Sequence, residues 1–159
     1  MANTIWFDMD GTIYPLYTRE NWLSRLINND ASVFEEGICR KSLPQIREAI
    51  CGLIENGWTV GVITWAPKNV AANTVFFEEV RNAKMAWLGY YFPEIDMENF
   101  FCLEYGTPKA EIIPRENGNT HILIDDNMIV RKMWRACGEN FLTIDANKGF
   151  TKKLFGLLG

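Results

Sequence analysis

Ile5-Trp6-Phe7-Asp8-Met9-Asp10-Gly11-Thr12-Ile13 is the stretch around which the rest of the chain is organised. It opens with three consecutive apolar residues, which are typical of a strand buried on both faces, as in a parallel sheet covered by helices. This strand leads directly into Asp8 and Asp10, and Gly11 then breaks the pattern. We therefore expect both carboxylates at the carboxyl end of a strand, the edge at which open α/β sheets bind ligands.

Asp8 and Asp10 are separated by one residue, so strand alternation alone would send their side chains to opposite faces. A turn at Gly11 brings both towards one pocket. Two carboxylates in a small space repel each other unless a cation joins them, and Mg²⁺ is a hard cation that prefers oxygen ligands. An isolated Asp-x-Asp is equally compatible with a solvated strand end, because short motifs match by chance. The rest of the chain has to decide between the two.

Composition sets the class of protein. A chain of 159 residues with 23% charged residues is most simply one globular domain, spanning residues 1–159. The net charge of −4 argues against broad nucleic-acid binding but allows a small anionic substrate held by local cations. We see no signal peptide and no apolar run of membrane-spanning length. The single His and four scattered cysteines argue against a zinc site and predict reduced thiols in a cytoplasmic protein.

Strands and helices are predicted to alternate along most of the chain. After the first strand, further strands are expected at residues 58–64, 100–103, 121–124 and 141–144. A helix with an apolar stripe from Leu43 to Ile54 follows Ser42 as N-cap. Another helix is expected to begin at Pro67 and to break before a second piece, 84–91. The residues 116–119 read as a loop, and the last helices cover about 129–138 and 151–158. This alternation predicts a doubly wound, Rossmann-like parallel sheet of about five strands.

The segment from about residue 14 to 40 does not read as sheet, and we expect it to form a small helical lid beside the end of the first strand. One helix carries Trp22, Leu23, Leu26 and Ile27 on one face, and a short helical piece follows at 32–38. Aromatic residues of this lid are candidates to stack on a base or sugar, although aromatics at helical spacing are more often core. These candidates are Tyr14, Tyr17, Trp22 and Phe34.

The polar residues collect at one edge of the predicted sheet. Thr64 ends the second strand, Asp125 and Asp126 end the fourth, and Lys109 opens a helix shortly after the third. Each residue alone also has a purely structural explanation: Thr64 as a strand residue, Asp125 and Asp126 as helix caps, and Lys109 as a solvated side chain. Their joint occurrence at strand ends favours a shared site. His121 begins a strand, away from this edge, and we expect it to be structural or exposed.

These motifs resemble, in order and type, those of the haloacid dehalogenase superfamily of phosphotransferases. The four motifs are Asp8-Met9-Asp10-Gly11-Thr12, Val62-Ile63-Thr64, Lys109, and Ile122-Leu123-Ile124-Asp125-Asp126-Asn127. The segment 84–93 and the Ile-Asp-Asp ending look like the 5'(3')-deoxyribonucleotidase branch, a looser match. The adjacent Asp125-Asp126 pair departs from the commoner Gly-Asp-x-x-x-Asp pattern, which leaves the direct metal ligand open. We favour Asp126, with Asp125 positioning Lys109 or a metal-bound water.

The resemblance implies a Mg²⁺-dependent phosphomonoester hydrolase that works through an aspartyl-phosphate. Asp8 is then the nucleophile and Asp10 the general acid and base. Mg²⁺ is held by Asp8, the Asp10 carbonyl and the Asp125-Asp126 pair. Thr64, Lys109 and the Trp65 amide bind the phosphate oxygens.

The substrate that the resemblance implies is a small phosphate ester such as a nucleoside monophosphate. Two alternatives stay open: a phosphatase acting on a nucleic-acid or protein phosphate, and a non-catalytic module that binds phosphate or a partner. The sequence leaves the oligomeric state undetermined.

Overall fold

A computed structural model describes residues 3–39, 43–114 and 118–159. Ser42, predicted as an N-cap, and residues 116–117 of the predicted loop lie outside these ranges. Five parallel strands form one sheet in the order β3-β2-β1-β4-β5. The strands are β1 (Thr4–Phe7), β2 (Thr59–Trp65), β3 (Phe100–Leu103), β4 (His121–Asp125) and β5 (Phe141–Asp145). The predicted doubly wound parallel sheet is therefore confirmed.

Helices cover both faces of the sheet. They are α1 (Trp22–Ile27), α2 (Leu43–Glu55), α3 (Val75–Tyr91), α4 (Met128–Arg135) and α5 (Thr151–Gly156). Short 3₁₀ turns lie at Leu16–Thr18, Ala31–Phe34, Met97–Asn99, Lys109–Ile112 and Ala146–Lys148. One hydrophobic cluster joins α2, α3 and α5 to one face, while a smaller cluster around Trp134 of α4 covers the other. None of the described helices has the length and apolar character needed to cross a membrane.

The central position of β1 brings the polar strand ends together. Phe7 pairs with Val62 on one side and with Ile124 on the other. The Asp8 amide extends the ladder by donating to the Ile124 carbonyl over 2.9 Å. As a result, the carboxyl ends of β1, β2 and β4 form one continuous edge.

The prediction of a helix from Pro67 with a break before residue 84 is wrong. Residues 67–74 form turns, and Asn69 adopts a left-handed backbone conformation (φ 65°) that interrupts any helix there. The helix begins instead after Thr74, whose hydroxyl accepts from the Phe77 amide as an N-cap. From Val75 to Tyr91 it is continuous. The helix predicted after Pro108 is only the 3₁₀ turn Lys109–Ile112.

The segment between β1 and α2 contains the predicted helix, which is α1. In place of the short helical piece predicted at 32–38, the structure has the 3₁₀ turn Ala31–Phe34. No residue of α1 is buried. The Tyr14 hydroxyl donates to the Val33 carbonyl and accepts from the Gly37 amide. The indole of Trp87 on α3 donates to the Gly37 carbonyl over 2.7 Å. These buried bonds fix the base of the segment to α3, while α1 stays at the surface.

Candidate active site

The turn after β1 is tight because one carbonyl gathers three amides. The Met9 carbonyl accepts from the N–H groups of Thr12, Ile13 and Tyr14 at 2.9–3.0 Å. Gly11 has φ +82°, and a Cβ added there would lie 2.4 Å from Asp126 Oδ2. Glycine is required at this position both by its backbone conformation and by the close approach of the carboxylate.

Asp8 is held by two donors. Lys109 Nζ lies 2.8 Å from Asp8 Oδ1, and the Thr12 hydroxyl donates to Asp8 Oδ2 over 3.0 Å. The same ammonium lies 2.8 Å from Asp125 Oδ2. Burial favours the neutral form of Lys109, but the two carboxylates outweigh it and raise its pKa above the ordinary value. The two carboxylates therefore favour the charged form of Lys109, which lies between Asp8 and Asp125.

Asp10 is held by a different lysine. Lys84 Nζ on α3 lies 3.0 Å from Asp10 Oδ2, 2.7 Å from Thr64 Oγ1 and 2.9 Å from the Trp65 carbonyl oxygen. Burial raises the pKa of Asp10, and the charge of Asp8 adds to this, while Lys84 opposes it. Asp8 is thus bonded to Lys109 and Asp10 to Lys84, and both carboxylates line one cavity.

Three carboxylates converge beside Lys109. Asp8, Asp125 and Asp126 each place one oxygen within 4.8 Å of the others. Burial and the neighbouring carboxylates raise the pKa of Asp125 to about 6 and that of Asp126 to about 8. Repulsion among these acids exceeds what Lys109 neutralises. A further positive charge would relieve it, and the oxygen-only donor set suits a hard divalent cation.

Asp125 and Asp126 differ in their surroundings. Asp125 bonds Lys109 through Oδ2 and accepts from the Asn127 amide through Oδ1 over 2.9 Å. Asp126 faces Asp8 and the bare Cα of Gly11. Among the carboxylates of this pair, Asp126 has the less occupied oxygens.

Some of the remaining predicted site residues line the cavity and others do not. Thr64 is fully buried and contacts Lys84 rather than the cavity. Trp65 lines the cavity with its indole, whose N–H donates to the Thr107 carbonyl. Tyr14 is buried under the lid, whereas Tyr17, Trp22 and Phe34 line the cavity. His121 is buried at the start of β4 and bonded to Thr4, remote from the acidic edge.

The cavity has a volume of about 430 Å³ and two kinds of wall. Its floor carries the acids and Lys109. The lid wall is apolar and is formed by Leu16, Tyr17, Trp22, Leu23, Leu26 and Ile27. A second part of the lining is formed by Trp65, Pro67, Lys68, Asn69 and Tyr105. This is the size and the mixed polarity typical of a site for a small ligand.

Lys84, Lys68 and Tyr105 belong to the site but are not among the residues predicted from the sequence. One signal for Lys84 was present. The apolar stripe of α3 runs through Phe77, Val80, Trp87 and Leu88, and Lys84 falls on that stripe. A lysine at a core position of a helix requires a buried partner. Tyr105 and Lys68 lie in loops whose path the sequence does not define.

Comparison with known proteins bears on the fold. The chain has the architecture of a doubly wound α/β protein with a cavity at the carboxyl ends of its strands. Along 96% of this chain and 98% of the other, it is similar to the crystal structure of a D,D-heptose 1,7-bisphosphate phosphatase from Burkholderia thailandensis, with a TM-score of 0.50 and 15% identity. At this identity the similarity establishes a shared fold. No protein-family model and no curated protein matches the sequence.

Proposed function

We propose that this protein is a Mg²⁺-dependent phosphomonoester hydrolase that works through an aspartyl-phosphate on Asp8. The observation that carries the proposal is the position of Asp8 on the floor of the cavity, bonded to Lys109 and clustered with Asp125 and Asp126. A nucleophilic carboxylate, a fixed cation and a pair of metal-ligating acids are what attack on a phosphate dianion requires.

Asp8 and Asp126 are the residues that would hold Mg²⁺, together with the Asp10 carbonyl. Asp125 already bonds Lys109 and the Asn127 amide, so it serves better to orient Lys109 or a water. When bound, Mg²⁺ would neutralise the phosphate and the acids and act as a Lewis acid.

The chain's own residues divide the chemistry between two steps. In the first, an Asp8 oxygen bonds to phosphorus, the ester P–O bond breaks, and Asp10 gives its proton to the leaving alkoxide. The raised pKa of Asp10 suits the acid form needed here. In the second, Asp10 takes a proton from water, the water oxygen bonds to phosphorus, and the bond to Asp8 breaks. Free phosphate leaves and Asp8 is restored.

Lys109 stabilises the charge that spreads over the phosphate oxygens in both steps. Its ammonium is on the cavity floor and is held charged by two carboxylates. Preorganised charge of this kind costs no reorganisation during the reaction. The Trp65 amide is proposed as a further phosphate donor, whereas Thr64, which is buried against Lys84 and does not line the cavity, is not.

The walls of the cavity favour a substrate with a flat, apolar group attached to the phosphate. Tyr17 and Trp22 form an edge-to-face pair with ring centroids 5.1 Å apart on the lid, and Trp65 and Tyr105 form a second pair at 4.9 Å in the other part of the lining. Two pairs of aromatic rings suit the base of a nucleotide. We therefore propose a nucleoside or deoxynucleoside monophosphate as the substrate. From the cysteine pattern of the sequence, we also propose a cytoplasmic location.

A panel of phosphate esters tests this proposal. We expect phosphate release from nucleoside monophosphates with Mg²⁺, with little release after chelation by EDTA. Asp8→Asn should remove activity and leave the fold intact. If the folded protein releases phosphate from no ester, the hydrolase proposal is wrong. If it binds Mg²⁺ and phosphate under those conditions, the alternative of a non-catalytic binding module is supported.

A second candidate substrate is the terminal phosphate of a nucleic acid or protein. The lid wall is open, since Leu23 is 55% and Ile27 72% exposed, so a chain attached to the phosphate has a way out of the cavity. The net charge of −4 disfavours a long polyanion. Competition between a mononucleotide and an oligonucleotide with a 5'-phosphate separates these substrates.

A further inference from the structure

Lys84 is a fully buried lysine whose hydrogen-bonding capacity is completely used. Its ammonium has three N–H donors, and three acceptors surround it: Asp10 Oδ2, Thr64 Oγ1 and the Trp65 carbonyl. The ring of Phe34, from the lid segment, lies 4.6 Å from Nζ. Lys84 does not line the cavity, so it acts on a substrate only through the groups it bonds.

The bond from Lys84 distinguishes the two oxygens of Asp10. Oδ2 accepts from the ammonium, whereas Oδ1 is buried and has no hydrogen-bond partner within the described residues. An unpaired buried oxygen is unfavourable by itself, and it is explained if a substrate or water completes the pairing. Oδ1 is then the atom that gives and takes the proton.

The bond from Lys84 also sets the direction of the Thr64 hydroxyl. An ammonium only donates, so Thr64 Oγ1 must accept from it. The hydroxyl proton of Thr64 is left for a different acceptor. The same lysine thus orients the acid and the threonine that stand at the ends of neighbouring strands.

A purely structural role explains this arrangement less well. Lys84 occupies a core position of α3, one turn from Val80 and from Leu88, where an aliphatic side chain would fill the space without a buried charge. The buried ammonium is explained better by its bonds to Asp10, Thr64 and the Trp65 carbonyl at the carboxyl ends of β1 and β2.

We propose that Lys84 is a positioning residue for the hydrolase reaction: it fixes Asp10 through Oδ2 so that Oδ1 faces the transferred proton. This inference rests on the proposed phosphatase function. Its consequence is that losing Lys84 impairs the steps in which Asp10 moves a proton more than the attack by Asp8.

The inference is tested by comparing how fast the Lys84→Met variant hydrolyses phosphate esters with different leaving groups. An alkyl phosphate needs a proton from Asp10 in the first step, but p-nitrophenolate leaves without one. With the alkyl ester we expect turnover to fall by about 100-fold, the scale of general acid catalysis. With p-nitrophenyl phosphate we expect a rapid burst of nitrophenolate close to one per protein, followed by slow turnover. The burst arises because attack by Asp8 persists while hydrolysis of the aspartyl-phosphate still needs Asp10.

The controls separate positioning from loss of structure. Arg81→Met removes a positive charge from the same helix and is expected to leave both esters unaffected. In an Asp10→Asn background, Lys84→Met should change the burst rate by less than about threefold, since the group it positions is already disabled. If Lys84→Met does not fold, Lys84→Arg keeps the charge and displaces the donors, and it too should slow the alkyl ester more than the aryl ester.

Equal losses on both esters in a folded Lys84 variant, with no burst, overturn this inference alone. A folded unchanged protein that releases phosphate from neither ester overturns the proposed function, and this inference with it. The two failures are therefore distinguishable in the same assay.

Discussion

Lys109 Nζ and Asp8 Oδ1 lie 2.8 Å apart, although the two residues are 101 positions apart in the chain. The pair joins the carboxyl end of the central strand to a 3₁₀ turn that follows an edge strand. Both side chains are nearly buried. Asp125 shares the same ammonium, so one cation balances two of the three clustered acids. The site is therefore short of positive charge.

Lys109→Met is expected to remove the central cation and leave Asp8 and Asp125 unpaired. Breaking a buried ion pair from one side typically costs about 3–5 kcal/mol, and we expect a loss of this order in the free energy of unfolding at pH 7 without Mg²⁺. Phosphatase activity should fall as well. Lys152→Met removes an exposed lysine from α5 and should change neither quantity. Equal stability of the two variants in urea denaturation contradicts the account.

Stability without metal should decrease as the pH rises. Burial and like charges raise the pKa of Asp125 to about 6 and that of Asp126 to about 8, both above the ordinary value of 3.8. At pH values between the ordinary pKa and these raised pKa values, the folded state therefore binds more protons than the unfolded state. The free energy of unfolding falls as the pH rises through the folded pKa. Thermal unfolding in EDTA should show a lower Tm at pH 8 than at pH 5.

Mg²⁺ should reverse this trend, because binding requires deprotonated carboxylates. The rise in Tm caused by Mg²⁺ is expected to be larger at pH 8 than at pH 6. Asp126→Asn should abolish that rise and flatten the pH dependence in EDTA. Glu55→Gln, which neutralises an exposed acid on α2, serves as the control. An unchanged Mg²⁺ effect in Asp126→Asn would show that this residue is no ligand.

Gly11→Ala should disrupt the site directly. The new Cβ would lie 2.4 Å from Asp126 Oδ2 and 2.9 Å from the Tyr17 ring, at a φ of +82° that alanine rarely adopts. We expect a destabilisation of about 1–3 kcal/mol and loss of the Mg²⁺ effect on Tm. Gly89→Ala is the matched control, since Gly89 lies on α3 with nothing within 4 Å of an added Cβ. It should stabilise the protein by up to about 1 kcal/mol.

Trp22→Leu should weaken binding of the base and leave phosphate chemistry intact. Aromatic stacking is worth about 0.5–1.5 kcal/mol, so the KM for a nucleoside monophosphate should rise by roughly 2- to 13-fold. The KM for ribose 5-phosphate should stay within about twofold, because it has no aromatic base to stack on Trp22. Tyr90→Leu removes an aromatic ring that is 78% exposed and outside the cavity, and should affect neither substrate. An equal rise for both substrates would place Trp22 away from the base.

The alternation of strands and helices and the acidic edge follow from the sequence because they depend on local patterns. Apolar runs end in polar groups at Asp8 and Asp125, and a parallel sheet brings such ends to one edge. The start of α3 could not be predicted from the sequence. Pro67 is compatible with the first turn of a helix, and the left-handed turn at Asn69 leaves no periodic signal in the sequence.

The lysines that bond the acids also could not be predicted from the sequence. Which lysine bonds which carboxylate depends on how α3 and the turn Lys109–Ile112 approach the sheet, and this is a property of packing. The same holds for Tyr14, which is a lid aromatic by position but is buried by its bonds to Val33 and Gly37. Tyr17 and Trp22, a few residues further on, reach the cavity instead.

Chemical mapping of the covalent intermediate tests the central claim most directly. The protein is mixed with substrate and Mg²⁺, quenched, and treated with borohydride, which reduces an acyl phosphate to an alcohol. Mass spectrometry of the peptides is expected to show homoserine at position 8 only in samples that received substrate, and never in Asp8→Asn. An active protein that is modified at another carboxylate, or at none, contradicts the assignment of Asp8 as the nucleophile.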